Sequence, residues 1–260
     1  SSLVSGGDST LLVWDIASRR CGRVRRGNTI TRVDIDWSPD GTQLVSGGSD
    51  SLVTLYTMTN RMSPYALHGH RSLVLGVAWS PDGQRIASSS MNEIRLWDPA
   101  SGDCVQVLQD PDDPNTIFYS VAWGLSGQRL AGATYRNLRG VLMWDICDGI
   151  AHSGRWLSPP HPTLIRRVAW SPDGLRLAGG GYDKQVYVWD AIHETLQYQL
   201  AGHQGAVKSI AWSPNGTQLA SGGSSPEGGE LFVWDAQQGE QSRKMIGHPE
   251  SVQALAWGMN

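Results

Sequence analysis

The 260 residues carry a formal net charge of −3, with 17% charged and 40% hydrophobic side chains and 31 glycines. That balance suits a globular chain with a sizeable core and offers no electrostatic pull toward nucleic acid. No run of 18 apolar residues exists to cross a membrane as a helix, and no signal-peptide pattern is present. The three cysteines, Cys21, Cys104 and Cys147, fall at no metal-like spacing, which points to reduced thiols in a cytosolic, cytoplasmic setting.

The chain opens inside a repeated unit. Residues 3–8 read as the second strand of that unit, and Trp14-Asp15 closes its third. From there two tryptophan series run in register. Trp37, Trp79, Trp123, Trp170, Trp212 and Trp257 each end an apolar run such as Val77-Ala78-Trp79. A Gly-bearing turn follows the first five, as in Trp79-Ser80-Pro81-Asp82-Gly83. The second series is Trp14-Asp15, Trp97-Asp98, Trp144-Asp145, Trp189-Asp190 and Trp234-Asp235, with Tyr56-Thr57 in the remaining slot. Its spacings are 42, 41, 47, 45 and 45 residues, and only Trp156 lies off the grid. A period in this range marks a repeat architecture.

One repeat resolves into four short strands. Residues 74–79 form an apolar run, and Ser80-Pro81-Asp82-Gly83 is a turn in which Pro presets φ and Gly takes a positive φ. Residues 85–89, 93–97 and 103–108 supply three more strands, with a turn at 98–102. Four short antiparallel strands repeated at this spacing predict an all-β propeller.

These pieces resemble the WD40 repeat family. Gly69-His70, Val77-Ala78-Trp79-Ser80-Pro81-Asp82-Gly83, Ile86-Ala87-Ser88 and Leu96-Trp97-Asp98 match its pattern. Gly202-His203, Ile210-Ala211-Trp212-Ser213-Pro214-Asn215-Gly216 and Val233-Trp234-Asp235 repeat it. The Trp-Ser-Pro-Asp-Gly wording is closer to bacterial members. The resemblance implies a single domain over 1–260, a six-bladed β-propeller with four antiparallel strands per blade. The blades fall at about 1–27 plus 248–260, 28–69, 70–113, 114–160, 161–202 and 203–247. Residues 252–257 read as a first strand, so the C-terminal strand is expected to complete the first blade and close the ring.

The units also share slots for His, Ser, Asp and Trp, types that out of context suggest a hydrolase. In the WD40 family they form a buried structural network, and that reading is preferred. It places His248, Ser5, Asp8 and Trp14 in the first blade, and Asn28, Ser46, Asp50 and Tyr56 in the second. His70, Ser88 and Trp97 belong to the third, with Met91 near the Asp slot. The fourth departs most, with Pro114 for His and Leu138 near the Asp slot. His161, Asp183 and Trp189 belong to the fifth, where Gly179 replaces Ser. In the sixth, His203, Ser221 and Trp234 remain, and the insertion 225–229 displaces the Asp.

The resemblance also implies a contact face built from the third and fifth residues after each His position. Its apolar part over blades three to five comprises Leu73, Leu75, Ile117, Tyr119 and Leu164, with Arg166 and Lys208 beside them. The fourth residue after each His position, such as Val74, Phe118, Ile165 and Val207, should point into the core. The expected function is a non-catalytic scaffold for a protein or peptide, specifically an acidic or C-terminal peptide across the central opening. No catalytic or metal motif is present, no cofactor is expected, and neither nucleic acid nor membrane is an expected partner. One alternative is a sensor or regulatory module of a larger bacterial signalling protein with an ATPase, kinase or protease domain. Another is a propeller enzyme, disfavoured because the funnel-facing columns hold no carboxylate pair. A basic stretch, Arg19, Arg20, Arg23, Arg25 and Arg26, is a second candidate surface for an acidic partner or phosphate groups, with a solvated outer face the preferred reading.

Overall fold

The computed structural model describes residues 2–7, 10–15, 20–26, 32–58, 63–135, 138–160 and 162–257. Within them, side chains are described at 11–14, at 21 and from 34 onward, except 63 and 246. Among the described residues the regular structure is all strand, in antiparallel sheets. β1 (Ser2–Gly7), β2 (Thr10–Asp15) and β3 (Arg20–Arg26) make a three-stranded sheet. β4 (Arg32–Trp37), β5 (Gln43–Gly48), β6 (Val53–Thr57) and β7 (Ser63–Leu67) make the next. β8 (Val74–Trp79), β9 (Ile86–Ser90), β10 (Ile94–Trp97) and β11 (Cys104–Leu108) make a third.

The fourth sheet holds β12 (Phe118–Trp123), β13 (Arg129–Thr134) and β14 (Val141–Cys147). Its outer edge is split into β15 (Ile150–Ala151) and β16 (Arg155–Leu157), both paired to β14. β17 (Ile165–Trp170), β18 (Arg176–Gly181), β19 (Gln185–Asp190) and β20 (Thr195–Ala201) form the fifth. β21 (Val207–Trp212), β22 (Gln218–Ser225), β23 (Gly228–Asp235) and β24 (Glu240–His248) form the sixth.

The Ser-Pro-Asp-Gly turns explain why first and second strands pair in one register. Ser80 Oγ donates to Asp82 Oδ1 at 2.6 Å, and Asp82 Oδ1 accepts Gln84 N–H at 2.9 Å. Ser80 Oγ in turn accepts Arg85 N–H at 2.8 Å, while Gly83 takes φ +70°. Ser38/Asp40, Ser171/Asp173 and Ser213/Asn215 repeat the arrangement. The short side chains satisfy turn N–H groups that strand pairing leaves open.

First strands of successive sheets lie side by side, from β4 through β8, β12 and β17 to β21. Val74, Phe118, Ile165 and Val207 are fully buried between sheets, as alternation requires. Each such side chain contributes roughly 1.5–3 kcal/mol. A polar ladder accompanies them. The indole N–H groups of Trp123, Trp170 and Trp212 donate to the carbonyls of Ala78, Ala122 and Ala169, at 3.2, 3.1 and 3.0 Å. Trp257 continues it to Ala211 at 2.9 Å.

The C-terminal segment therefore sits where a further first strand belongs, and Val252 N–H donates to Gly223 O at 3.0 Å. Among the described pairings, however, the first sheet has three strands, and 252–257 is not its fourth. Among the described residues the hydrogen bonds from this segment to the sheets run to the sixth. A second departure concerns His248. The insertion at 225–229 lengthens β22 and β23, so β24 stays paired as far as Gly229↔His248. His248 thus ends an outer strand, exposed, instead of lying in a loop before a first strand.

Candidate functional site

The face bearing the second-to-third-strand turns carries a cluster of aromatic rings. Tyr135 follows β13 directly, and its N–H donates to Ile117 O at 2.9 Å. Tyr182 follows β18 in the same way, donating to Leu164 O at 3.0 Å. These bonds bring each turn tyrosine over the neighbouring first strand. Tyr119 and Tyr135 lie 5.3 Å apart between centroids, and Tyr135 meets Tyr182 edge-on at 5.6 Å. The Arg166 guanidinium lies 5.1 Å from the Tyr119 ring centre and donates to Tyr182 Oη at 3.0 Å. Such contacts hold an Arg and aromatic faces in one geometry. All four residues are partly buried.

The other face residues named from sequence are distributed differently. Leu73, Ile117 and Leu164 are partly buried, and Leu75 is buried at 8% exposure. The expectation of an exposed aliphatic patch is therefore corrected. β8 packs closely against β4 and β12, which covers Leu75. Lys208 reaches sideways, its Nζ donating to Ser251 Oγ at 2.9 Å. Tyr135 and Tyr182 were missed from sequence although they share one register. That register position reads Ser49, Met91, Tyr135 and Tyr182, each just after its second strand, and Ser224 within the lengthened β22.

The buried polar networks differ between sheets. His70 Nε2 lies 2.6 Å from Ser88 Oγ, which accepts the Trp97 indole N–H at 2.7 Å. His70 Nδ1 lies 2.8 Å from Glu93 Oε1. The sixth sheet repeats this, with His203 to Ser221 at 2.7 Å, Trp234 to Ser221 at 2.8 Å, and His203 to Glu230 at 3.0 Å. The displaced Asp is thus replaced by Glu four residues before the Trp, a register shared by Glu93 and Glu230 that sequence reading overlooked. Burial pushes the His70 imidazole down to about 4, against the pull of Glu93, and lowers His203 likewise. Both imidazoles are neutral near pH 7. Glu93 is pushed up by burial, but Arg95, 2.7 Å away, and His70 hold it below its ordinary value.

In the fifth sheet, Asp183 accepts the Tyr187 hydroxyl and the Gln185 N–H, and Trp189 donates to Ser158 O at 3.4 Å. His161 lies outside the described residues, as do Asn28 and Asp8 and the Ser5 side chain. In the second sheet Asp50 accepts Leu52 N–H at 3.2 Å, and Ser46 Oγ is buried without a partner. Trp14 is partly buried.

The interior between the first strands overturns one expectation. A cavity of about 300 Å³ is lined by two carboxylates, Asp34 and Asp36, and by Arg167. Arg167 of β17 reaches across to β4, with Nη2 to Asp34 Oδ1 at 2.8 Å and Nη1 to Oδ2 at 3.2 Å. Asp36 accepts N–H groups of Trp79 at 2.8 Å and Trp37 at 2.9 Å. Burial raises its carboxyl to about 6, with Asp34 adding to the effect. The sequence signal is the Val-Ala-Trp motif, which reads Ile35-Asp36-Trp37 here alone. The funnel columns inspected from sequence were those after His, which miss this position. All four carboxylate oxygens are engaged by protein donors. Among the described residues no group of three or more His, Cys, Asp or Glu is arranged to hold a metal ion.

Comparison with known proteins agrees with this framework. The profile of the WD40 family, described as WD domain, G-beta repeat, matches residues 19–57, 62–98, 151–190 and 194–235. The stretch between 98 and 151, with Pro114 and Leu138, falls outside the matches. Human U5 small nuclear ribonucleoprotein 40 kDa protein is 45% identical over 42 residues, 16% of this chain and 12% of that protein. The bovine protein of that name shows the same figures, and its Dictyostelium discoideum counterpart is 49% identical over 39 residues, 15% of this chain and 11% of its own. The alignment thus spans about an eighth of the length of these relatives, which come from eukaryotes. With its repeated strand register and profile matches over more than half its length, the chain belongs to the WD40 repeat family.

Proposed function

We propose that this chain is a non-catalytic scaffold that binds a protein or peptide over the face centred on Tyr119, Tyr135, Tyr182 and Arg166. The observation that supports this reading most is the linked cluster itself. Aromatic rings and an arginine, held by one another and half exposed, resemble the centre of an interface. An arginine suits a carboxylate, so an acidic segment or a C-terminal carboxylate is the partner chemistry. The engaged state of Asp34 and Asp36 favours a structural role for the channel carboxylates. The fuller architecture belongs to the same proposal: six blades in a closed ring, acting in the cytoplasm.

The test compares partners captured from lysate by the parent and by Tyr135→Ala/Arg166→Glu, with circular dichroism showing both folded. Partners lost from the variant support the face. Identical partner sets from both proteins overturn it.

A further inference from the structure

Arg85, Arg129 and Arg176 occupy one register, six residues after the first-strand Trp of their sheets. Two of them clamp their sheet to the next. Arg129 Nη1 donates to Ala191 O at 2.7 Å, and Arg176 Nη1 donates to Ala236 O. Each acceptor lies two residues after the Trp of the following sheet. The matching acceptor for Arg85 is the carbonyl of Ile146, two residues after Trp144, and that bond is not made. Arg85 Nη1 instead donates to its own neighbour Gln84 O at 2.8 Å and lies 3.7 Å from Asp98 Oδ2, while its Nε is buried without a partner.

The cause lies in the fourth sheet. After Trp189 and Trp234 the chain turns within a residue or two, leaving a carbonyl open to the clamp. After Trp144, β14 continues to Cys147 and hairpins through Asp148-Gly149 into β15, pairing Ile146↔Ala151 and Cys147↔Ile150. Gly149 lies against the guanidinium, and a Cβ there would stand 2.8 Å from Arg85 Nη2. The unmade clamp opens into a cleft of about 780 Å³ between the third and fourth sheets, on the face of the Ser80–Gly83 turn. Arg129 and Asp145 line it but are engaged, Arg129 by Ala191 O and Asp145 by Arg155 at 2.7 Å. Arg85 and the exposed Asp148 remain as adjacent opposite charges in the lining.

We propose that this cleft binds a short peptide segment that presents a carboxylate to Arg85 and a basic side chain to Asp148. The volume suits a few residues of chain. The guanidinium, denied its inter-sheet acceptor and held only at 3.7 Å by Asp98, can donate from Nη2 to an incoming carboxylate. Asp82, Asp145 and Asp148 around it disfavour polyanions and favour a neighbouring positive charge. The site is separate from the tyrosine cluster, so either proposal stands or falls alone.

Cys147 lines the cleft, exposed and outside any disulfide, and Cys21 is exposed, outside any disulfide and outside the cleft. The probe is the blocked tetrapeptide Ala-Glu-Lys-Ala, with Ala-Lys-Lys-Ala and Ala-Glu-Glu-Ala as comparators. The readout is the iodoacetamide alkylation rate at each cysteine by mass spectrometry. The Glu-Lys peptide is expected to slow Cys147 by about threefold at roughly twice its dissociation constant, leaving Cys21 unchanged. Arg85→Met should abolish that protection. Its melting temperature should stay near the parent's, because no clamp is lost, whereas Arg176→Met should lower it. Asp148→Lys, on an exposed turn, should switch the preference to the Glu-Glu peptide. Unprotected Cys147 at saturating peptide overturns the proposal. So does equal protection in Arg85→Met, or an unchanged preference in Asp148→Lys.

Discussion

The third and fifth sheets share a strand order and a tryptophan register but solve one polar problem in opposite ways. In the third, Ser88 stands between His70 and Trp97, and Glu93 closes the line, so His70, Ser88 and Trp97 each meet a partner. In the fifth, Gly179 takes the serine position because Trp189 fills the space. A Cβ on Gly179 would lie 2.8 Å from the Trp189 ring and 3.2 Å from Ile165. Tyr187 stacks on Trp189 at 5.7 Å and hands its hydroxyl to Asp183. Burial, with that bond to Asp183, pushes the Tyr187 hydroxyl far above its ordinary value. One sheet is pinned by a hydrogen-bonded relay, the other by ring packing. The same backbone tolerates either because both pair the polar groups at this position, through Ser88 and Glu93 in one and Asp183 in the other.

The largest expected effect breaks the relay in the sixth sheet, which repeats the third. Glu230 is 1% exposed and accepts from both His203 and the Gln204 N–H. Glu230→Ala strands the buried His203 and the Gln204 N–H and leaves a void, a cost of about 4 kcal/mol. Urea unfolding measures it, and a loss below about 1 kcal/mol would show that the relay is ornamental.

Acidification probes the relay without a void. The His70 imidazole titrates at about 4 in the fold and near its ordinary 6.5 when unfolded. Between those values the unfolded chain binds the extra proton, so stability present above pH 6.5 is lost as pH falls toward 4. The stability advantage of the parent over His70→Gln should shrink across that window, by up to about 3 kcal/mol. Asp36, raised to about 6, contributes with the opposite sign, but it is common to both proteins and cancels. An advantage that stays flat from pH 7 to 4 would place the His70 proton elsewhere.

The smallest effect sharpens the contrast. On sequence alone, Gly179→Ser restores the missing relay member and should stabilise. The crowding around Gly179 reverses that expectation, and a loss of about 2 kcal/mol is anticipated from overpacking. A raised urea midpoint would return the fifth sheet to the relay pattern.

Much of the repeat was legible in residues. The Trp register located first strands and their turns, and the alternation at Val74, Phe118, Ile165 and Val207 located the core. The site was only half legible. Tyr119 and Arg166 stood in the columns examined, while Tyr135 and Tyr182 stood one residue past a second strand, outside them. Leu75 was placed on an open face that its neighbours cover. Glu93 and Glu230 were hidden because the search was for Asp in a turn, and a longer side chain reaches the same imidazole from the strand.

Strand identity, turn positions and the repeat follow from local chemistry. Pro, Gly and short hydroxyl or carboxylate side chains set the turns, and period-two burial sets the faces. Tertiary structure alone decided which polar groups meet. Arg167 finds Asp34 across 133 residues, Tyr182 finds Arg166 and Tyr135, and Arg85 misses the carbonyl its counterparts reach. Those pairings depend on how sheets stack around a shared interior, a distance that no spacing along the chain encodes.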